Sequence, residues 1–340
     1  MPNGYDSSIL RRLLRRENLT AEQAEGLFSQ IMAGDLSEPQ VAGLLVALAA
    51  KGETVDEITG AARAMRTHAL RIEGGGADVI DTCGTGGTGL KTFNISTAAA
   101  IVAAGAGARV AKHGNRTATR PSGSADVLAA LGVKIDCELA AEARCLAEAG
   151  ICFCFAVRHH PAMRHAAPVR KALGVRTVFN VLGPLTNPAG ATRQLMGVFD
   201  AALVEPIARV LAALGSRRAM VVHADDGLDE ISTTAPTRVA EVQDGRVTLR
   251  TLEAGAFGLP PARMEDLAIA SPQESAQAIR DVLAGKPGPR RDIVTLNAAA
   301  ALVLAGRAAD ILAGLALARQ SIDSAAAAAT LDRLIALSNA

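Results

Sequence analysis

Residues Asp81 to Ser124 read DTCGTGGTGLKTFNISTAAAIVAAGAGARVAKHGNRTATRPSGS. The apolar run from Val79 to Cys83 predicts a strand that ends in a glycine-rich turn, Gly84-Thr85-Gly86-Gly87. A helix running to Ala104 and a second strand, Arg109 to Lys112, are predicted to follow. Glycines let backbone N–H groups approach anionic oxygens closely, and a helix start adds unpaired donors and the positive end of its dipole. The stretch therefore predicts a strand–loop–helix unit of an α/β fold that holds a phosphorylated ligand.

The glycine turn has a simpler interpretation as a tight connection between strand and helix. Such a turn needs one or two glycines, whereas residues 84–89 hold four. It is not a Walker A motif, because the Gly-Lys-Ser/Thr ending is missing, and no acidic residue ends a second strand nearby as a dinucleotide-binding fingerprint requires. Asn94-Ile95-Ser96-Thr97 then supplies residues able to cap the following helix. We therefore favour a phosphate-binding loop.

A second polar loop, Lys112-His113-Gly114-Asn115-Arg116, follows the second predicted strand, and Ser122 to Asp126 opens another helix. Each half alone is also typical of a solvated charged loop with an ordinary N-cap. Together with the glycine turn, these segments supply three clusters of donors. This pattern indicates a ligand that bears more than one phosphate.

Four acidic residues crowd one loop after the predicted strand Ala219 to His223, namely Asp225, Asp226, Asp229 and Glu230. Hard oxygen ligands near a phosphate site indicate Mg²⁺. Neighbouring residues of an extended segment point to opposite sides, so Asp229 and Glu230 serve two ions or, in a bent loop, one. An acidic surface turn is the alternative interpretation.

Two further groups of polar residues invite a functional interpretation. His159-His160-Pro161 and His165 resemble a metal cluster, but a histidine pair before proline is more often hydrogen-bonded structure, and we argue against zinc. Pro168-Val169-Arg170-Lys171 predicts a helix start. Arg170 either pairs there in bidentate fashion with a planar carboxylate or lies as a cation on the helix surface.

The first 70 residues predict helices only. Three capping-box patterns each precede an apolar-periodic run: Thr20 with Gln23, Ser37 with Gln40, and Thr54 with Glu57. Gly74-Gly75-Gly76 breaks this pattern, and short apolar strands alternate with helices from Asp78 onward. Later elements are predicted as a strand at Ile151 to Phe155, a hairpin of Val239 to Gln243 and Arg246 to Thr251 turning at Asp244-Gly245, and helices from Ile293.

Composition limits the classes of function. The chain has 340 residues, 49% of them hydrophobic, which is enough for a large core and favours two unequal domains. The formal charge of +1 supplies no global field for nucleic acid or an anionic membrane, so neither is an expected partner. Apolar runs such as Val41 to Ala50 are too short to cross a bilayer, and the N-terminus lacks a signal-peptide layout, which predicts a cytoplasmic protein. Five cysteines without Cys-x-x-Cys spacing are expected to be reduced core residues.

The order of these motifs resembles the anthranilate phosphoribosyltransferase family over nearly the whole chain. Each piece alone is common, but the combination is specific. The segments that carry the resemblance are Gly84 to Gly87, residues 94–97, Lys112 to Arg116, Ser122 to Asp126, residues 159–163, VFNVLGPLTNP at residues 178–188, and residues 227–230.

The resemblance implies an α/β fold with two parts. A small N-terminal all-helical domain would span residues 1–75, with residues 170–190 returning to it. A larger α/β domain, residues 76–169 and 191–340, would have a central, mostly parallel sheet flanked by helices. The active site would then lie in the hinge cleft, and the family is typically a homodimer paired through the helical domains.

The resemblance also implies an activity and its residues. The family transfers the phosphoribosyl group of phosphoribosyl pyrophosphate (PRPP) to anthranilate in tryptophan biosynthesis, with Mg²⁺, expected here as two ions per monomer. The residues expected to hold PRPP are Gly84, Gly87, Thr88, Thr92, Asn94, Ile95, Ser96, Thr97, Lys112, His113, Gly114, Asn115, Arg116, Thr117, Ala118, Thr119, Arg120 and Ser124. Those expected at anthranilate are Gly84, Asn115 and Arg170, and those at the metal are Ser96, Asp229 and Glu230. No residue is assigned as a general acid or base.

The chain departs from the family pattern in its phosphate loops. The family usually has an Asp where this chain has Thr88, and a serine-rich run where it reads Thr117-Ala118-Thr119-Arg120-Pro121. Removing a carboxylate and adding Arg120 makes the pocket more positive. Our hypothesis is that positive charge contributes more to holding the phosphates than it does in the family. Mg²⁺-bridged contacts with carboxylates or hydroxyls would contribute less. A paralogue with weak or altered activity is the other interpretation.

Two other functions stay open at this point. Pyrimidine nucleoside phosphorylases share the architecture and bind phosphate and a pentose, but they need neither the Asp229-Glu230 pair nor Arg170. A divergent relative could instead bind nucleic acid without catalysis. Four arginines between residues 11 and 16 offer a basic helix for that role, although their spacing is equally that of a solvated helix face.

Overall fold

The computed structural model describes residues 6–76, 78–117 and 121–340. Four helices come first: α1 (Ser7–Leu14), α2 (Ala21–Ala33), α3 (Glu38–Lys51) and α4 (Val55–Thr67). The capping boxes predicted at Thr20, Ser37 and Thr54 are present. In each, the side chain three residues on accepts the backbone N–H of the cap residue, at 3.1, 2.8 and 2.8 Å. The predicted helical N-terminal region is confirmed.

A seven-stranded sheet follows, in the order β3-β2-β1-β4-β5-β6-β7. Its strands are β1 (Val79–Asp81), β2 (Arg109–Gly114), β3 (Ile151–Phe155), β4 (Arg193–Gly197), β5 (Arg218–Ala224), β6 (Thr237–Gln243) and β7 (Arg246–Leu252). The first five are parallel, whereas β6 and β7 are antiparallel. Strand order reverses between β1 and β4, and ligands of α/β sheets bind in the crevice at such a point, beyond the carboxyl ends of the strands.

The observed ends of β1 and β2, where the two polar loops begin, differ from the predicted ends. β1 ends at Asp81 rather than Cys83, because the Asp81 carboxylate accepts the Cys83 backbone N–H at 3.0 Å and turns the chain. β2 runs on to Gly114, since Lys112, His113 and Gly114 all pair with β3. The loop predicted at residues 112–116 therefore begins inside a strand. β4 was not predicted, whereas the Asp244-Gly245 hairpin turn is confirmed, with φ of 48° and 80°.

Helices cover both faces of the sheet. The helices that follow β1 in the chain are α5 (Ile95–Gly105), α6 (Ser124–Leu131), α7 (Leu139–Arg144), α8 (Ala156–His159), α9 (Ala167–Leu173), α10 (Phe179–Leu182), α11 (Val204–Ala213), α12 (Met264–Leu267), α13 (Pro272–Leu283), α14 (Pro289–Leu304), α15 (Ile311–Asp323) and α16 (Ala326–Asn339). Helix α5 is buried almost all round, which matches its uniformly apolar sequence. The fold is a small helical region joined to a larger α/β region with a mostly parallel sheet, so the expected fold class is confirmed.

The segment between β3 and β4 packs against the N-terminal helices. The Phe179 ring of α10 meets the Phe28 ring of α2 edge-on, with centroids 5.7 Å apart. Arg66 of α4 donates from Nε to the Leu185 carbonyl oxygen at 2.7 Å. These contacts place residues 170–190 beside the helical region.

Two further observations concern the whole described chain. None of the helices in residues 6–76, 78–117 and 121–340 combines the length and the apolar character that a membrane span needs. All five cysteines are free thiols, and all but Cys83 are buried, as expected for small core residues.

Candidate functional site

The glycine turn lies at the carboxyl end of β1 and is fixed from the neighbouring strand. Thr85 donates its backbone N–H to the Gly197 carbonyl oxygen of β4 at 2.8 Å. Gly84 lies so close to β4 that a β-carbon there would come within 2.9 Å of the same oxygen. Gly87 has φ of 79°, which glycine adopts without strain. The predicted loop is therefore a compact turn against β4.

The acidic pair reaches this turn from the loop after β5. Asp229 is buried and accepts the Gly86 backbone N–H at 3.1 Å through Oδ2. Glu230 accepts the Ser96 backbone N–H at 3.2 Å through Oε1, at the first turn of α5. The structure thus brings Asp229, Glu230, Ser96 and the glycine turn together.

The other two acids of this loop serve structure. Asp225 is exposed and pairs with Arg238 at 3.2 Å. Asp226 accepts hydrogen bonds from the Ser232 and Thr234 hydroxyls. Two of the four acidic residues therefore stabilise the turn, while the other two face the glycine turn and α5.

Lys112 is a buried cation, only 3% exposed. Its Nζ donates to the Thr82 carbonyl and hydroxyl oxygens, both at 3.2 Å, and to Ser96 Oγ at 3.4 Å. These hydrogen-bond partners are neutral oxygens, and the buried acid Asp81 is near enough to interact electrostatically with Lys112. A buried ammonium with neutral hydrogen-bond partners is suited to binding an anion. Lys112 donates to the Ser96 hydroxyl and Glu230 accepts the Ser96 backbone N–H, so the cleft holds a positive end and a negative end beside one serine.

Asp81 and His113 are buried near Lys112, and Asp81 accepts the His113 backbone N–H at 3.1 Å. Burial raises the pKa of Asp81 to about 6, although Lys112 and hydrogen bonds from Asn187, His113 and Cys83 oppose this rise. Burial also holds the pKa of His113 well below its ordinary value, so the ring is neutral. Its Nδ1 lies 3.0 Å from the Gly183 carbonyl, and its Nε2 is buried with no hydrogen-bond partner among the described residues. An Nδ1–H donor leaves Nε2 as an acceptor.

The second loop is organised by Asp126. Its carboxylate pairs with Arg116 at 2.9 Å and accepts the backbone N–H groups of Thr117 and Gly123, at 3.3 and 3.0 Å. This contact directs the Arg116 guanidinium to the start of α6. Ala118, Thr119 and Arg120 lie outside the described residues.

Glycine and serine let this loop close on itself. A β-carbon at Gly114 would come within 2.1 Å of Ser124 Oγ. The carbonyl oxygen of Asn115 accepts from the Ala125 backbone N–H at 3.2 Å and from Ser124 Oγ at 3.4 Å. Asn115 and Ser124 are therefore neighbours.

Asn94 joins the two loops, but not as predicted. It occupies the N-cap position of α5 without a side-chain capping bond. Its amide instead donates to the Ser122 carbonyl at 3.2 Å and accepts from Ser275 Oγ at 2.7 Å. The predicted side-chain cap is wrong because Glu230 takes the helix N–H and frees the Asn94 amide to bridge towards α6 and α13.

The remaining predicted PRPP residues lie along the same chain segment. Thr88 Oγ1 accepts the Leu90 backbone N–H at 3.4 Å. Thr92 is buried and forms a β-bridge with Ala268. Ile95 packs in the core, and the Thr97 hydroxyl is buried with no hydrogen-bond partner in the described chain.

Arg170 lies on α9, whose start was correctly predicted. Its guanidinium carbon is 5.2 Å from the centre of the Phe179 ring, and burial lowers its pKa. Within the described residues, no carboxylate forms an ion pair with it. A half-buried guanidinium on an aromatic face is suited to a planar carboxylate.

His159 is structural, as the sequence favoured. Its Nδ1 and Nε2 lie 2.7 Å from the Leu70 carbonyl oxygen and from the Glu142 carboxylate, respectively. Both members of the His159–Glu142 pair are buried. The ring of its neighbour His160 is 5.2 Å from the His113 ring, and burial together with His159 lowers the pKa of His160 to about 4.

A residue that the sequence did not single out also reaches the site. Arg176, between α9 and α10, donates from Nη2 to the Gly87 carbonyl oxygen at 2.7 Å. Its guanidinium carbon lies 3.9 Å from the centre of the Phe199 ring. No local motif marks this arginine, because its partners come from two distant loops.

A separate groove of about 930 Å³ lies between β5–β7 and the C-terminal helices. Both signs of charge line it, including Arg218, Arg246, Glu241 and Asp310, and none of the predicted site residues does. The groove therefore has no clear charge preference and lies outside the cleft described above.

The chain is similar to known proteins over nearly its whole length. Residues 7–69 match the helical bundle domain of a glycosyl transferase family, and residues 76–328 match the α/β domain of a glycosyl transferase family. The chain is 52% identical to an anthranilate phosphoribosyltransferase of Thioalkalivibrio sulfidiphilus over 96% of both chains. It is 56% identical to that of Rhodospirillum rubrum, over 94% of this chain and 92% of the relative.

Solved structures agree in fold. Anthranilate phosphoribosyltransferase from Thermus thermophilus superposes with a TM-score of 0.91 at 43% identity, over 98% of this chain and 99% of that one. The Saccharomyces cerevisiae enzyme in complex with PRPP and Mg gives 0.87 at 29% identity, over 98% and 97%. Since relatives about 50% identical match nearly the full length and both parts of the chain match family models, the chain belongs to the anthranilate phosphoribosyltransferase family.

Proposed function

We propose that the chain transfers the phosphoribosyl group of PRPP to the amino group of anthranilate, giving N-(5-phosphoribosyl)anthranilate and pyrophosphate, in tryptophan biosynthesis. The observation that carries the proposal is the meeting of three parts at one cleft. The glycine turn binds Asp229, the start of α5 binds Glu230, and Lys112 reaches Ser96. Family membership adds the substrates that relatives of this chain use.

The chemistry suits this cleft. Departure of pyrophosphate builds negative charge, which a buried ammonium and backbone N–H groups stabilise, while the sugar carbon becomes cation-like. The amine of anthranilate is weakly basic and already neutral at physiological pH, so the reaction needs no strong general base. Alignment of the amine with the anomeric carbon then supplies much of the rate.

The assignment of residues is part of the proposal. Three sets are proposed at PRPP, namely Gly84 and Gly87 of the glycine turn with Thr88 and Thr92, residues 94–97 at the start of α5, and Lys112 to Arg120 with Ser124. The proposed anthranilate residues are Gly84, Asn115 and Arg170. Arg170 supports this role because its guanidinium is half-buried on the Phe179 ring and has no carboxylate partner in the described chain.

Mg²⁺ fits the residues at the other end of the cleft. Ser96, Asp229 and Glu230 offer a hydroxyl and two carboxylates, the hard oxygen donors that Mg²⁺ prefers. Both carboxylates are held by backbone N–H groups, which orients them before any ion binds. Bound Mg²⁺ would neutralise charge on the pyrophosphate. The yeast relative was solved with PRPP and Mg, and we propose two ions per monomer for this chain.

The wider organisation is proposed on the same basis. Residues 1–75 with 170–190 form the helical domain, and residues 76–169 with 191–340 form the PRPP-binding domain. A homodimer through the helical domain is supported by the exposed apolar side chains Leu14 on α1 and Val46 on α3, 69% and 44% exposed. The free thiols are consistent with the reducing cytoplasm.

The direct test is the loss of anthranilate fluorescence on mixing the purified protein with PRPP and Mg²⁺. Arg170→Ala should raise the KM for anthranilate roughly 10- to 100-fold, the usual effect of losing charge-assisted hydrogen bonds. The KM for PRPP should stay within about twofold. Lys171→Ala is the matched control, because it removes an exposed cation from the same helix. Phosphorolysis of thymidine or uridine without transfer to anthranilate would refute the proposal.

A further inference from the structure

Arg176 lies in the short segment between α9, which carries Arg170, and α10. Its side chain crosses to the glycine turn and donates to the Gly87 carbonyl oxygen at 2.7 Å. The same guanidinium stacks on the Phe199 ring at 3.9 Å. One side chain thus joins the segment proposed to hold anthranilate to the turn proposed to hold PRPP.

The Phe199 ring under this guanidinium is itself tied to the turn. Phe199 follows β4, and its backbone N–H donates to Thr85 Oγ1 at 3.0 Å. Thr85 in turn donates its backbone N–H to the Gly197 carbonyl at 2.8 Å. A guanidinium that stacks on a ring and donates one N–H is held in a single orientation. The contact between Arg176 and Gly87 is therefore anchored to the carboxyl end of β4.

The hydrogen bond from Arg176 to the Gly87 carbonyl also fixes the orientation of the Gly87–Thr88 peptide group. In a planar trans peptide, the carbonyl of one residue and the N–H of the next point in opposite directions. Since Arg176 takes the Gly87 carbonyl, the Thr88 N–H must point away from Arg176. Gly87 has φ of 79° here, but a glycine can adopt many other backbone conformations. A contact from outside the turn is therefore needed to select this one.

We propose that Arg176 is a positioning residue for PRPP, an inference that rests on the function proposed above. It selects the conformation of the glycine turn in which the Gly87–Thr88 peptide is aligned for the diphosphate. Its guanidinium donates to Gly87 and covers Phe199, and its effect on PRPP is placed in the conformation of the turn. It also transmits the position of the Arg170 segment to the PRPP loop.

The test compares Arg176→Ala with two other variants in the fluorescence assay. Arg176→Ala should raise the KM for PRPP roughly tenfold, as expected for the loss of one charge-assisted hydrogen bond. The KM for anthranilate and kcat at saturating PRPP should stay within about twofold. Phe199→Leu, which removes the ring but no charge, should raise the same KM about threefold. Arg164→Ala is the matched control, because Arg164 is an exposed arginine that lies shortly before α9 and has no hydrogen-bond or ion-pair partner in the described residues.

Each outcome has a distinct meaning. An Arg176→Ala enzyme with an unchanged KM for PRPP overturns the positioning role, even if its melting temperature falls. An equal rise in Arg164→Ala also overturns it, because general charge would then be the cause. If the natural protein makes no transfer product, the proposed function fails, and titration calorimetry of PRPP against both proteins still measures the effect of Arg176 on binding.

Discussion

Replacing Glu230 with Gln separates the metal role of this residue from its structural role. Glu230 accepts the Ser96 backbone N–H at 3.2 Å, at the N-terminus of α5. The amide oxygen of Gln can accept the same hydrogen bond, so the variant loses only the charge. A carboxylate at a helix N-terminus contributes about 0.3–1 kcal/mol. For a chain of this size, that loss lowers Tm by at most about 2 °C.

The effect on activity should be much larger. Asp229 accepts a hydrogen bond from the glycine turn and Glu230 accepts one from Ser96, so both carboxylates lie at the proposed metal site. Loss of even an outer partner of a metal ligand typically weakens metal affinity about 10- to 100-fold. We therefore expect the Mg²⁺ concentration for half-maximal rate to rise by at least this factor. Initial rates of anthranilate fluorescence loss over a Mg²⁺ titration measure it.

Asp225→Asn provides the matched control. Asp225 lies in the same loop, but it is exposed and pairs with Arg238 at 3.2 Å. The control should leave the Mg²⁺ titration unchanged. The reasoning is refuted if Glu230→Gln and the natural protein give the same titration, or if Asp225→Asn shifts it equally. A large fall in Tm of Glu230→Gln would show instead that the charge is needed for the fold.

Two further predictions concern neighbouring residues. Thr88→Asp introduces the carboxylate usual in the family, and the rate of this variant should depend more steeply on Mg²⁺ concentration. If the natural protein and the variant give the same profile of initial rate against Mg²⁺, the hypothesis that charge replaces Mg²⁺-bridged contacts is wrong. Asp81→Asn tests the raised pKa of Asp81, about 6 against an ordinary 3.8. The quantity to follow is the free energy of unfolding of the natural protein minus that of the variant. This difference should be highest below pH 4 and should decrease by on the order of 3 kcal/mol as the pH rises past 6. Denaturant unfolding at pH 4 to 7.5 measures this, and a constant difference would contradict it.

The fold was predictable where local signals dominate. The caps at Thr20 and Thr54, the glycines at 74–76 and the Asp244-Gly245 turn each act within a few residues. Strand β4 was missed because its sequence, RQLMG, is short and places a polar residue in the interior. Gln194 tolerates burial because its amide donates to the Pro184 carbonyl at 2.7 Å, a contact that the sequence alone does not reveal.

Only the parts of the site that are local in sequence were predictable. Glycine turns and acidic pairs are local patterns, so the sequence could identify both ends of the cleft. It could not predict the Arg116–Asp126 pair, the bridging role of Asn94, or Arg176, since each depends on residues brought together by the fold. The resemblance named the binding residues, but only coordinates show which of them already have partners within the protein.

A close approach between two backbone segments explains why the glycine turn and the acidic pair meet. A β-carbon at Gly197 would lie 1.6 Å from the Asp229 carbonyl oxygen, so no larger residue fits there without moving the acidic loop. Gly197 also accepts the Thr85 N–H, which places the glycine turn on one side of β4 and Asp229 beside it. The hydrogen bond between Gly86 and Asp229 spans 143 residues of sequence and depends on this single glycine. The cleft therefore owes its geometry to a residue that carries no functional group.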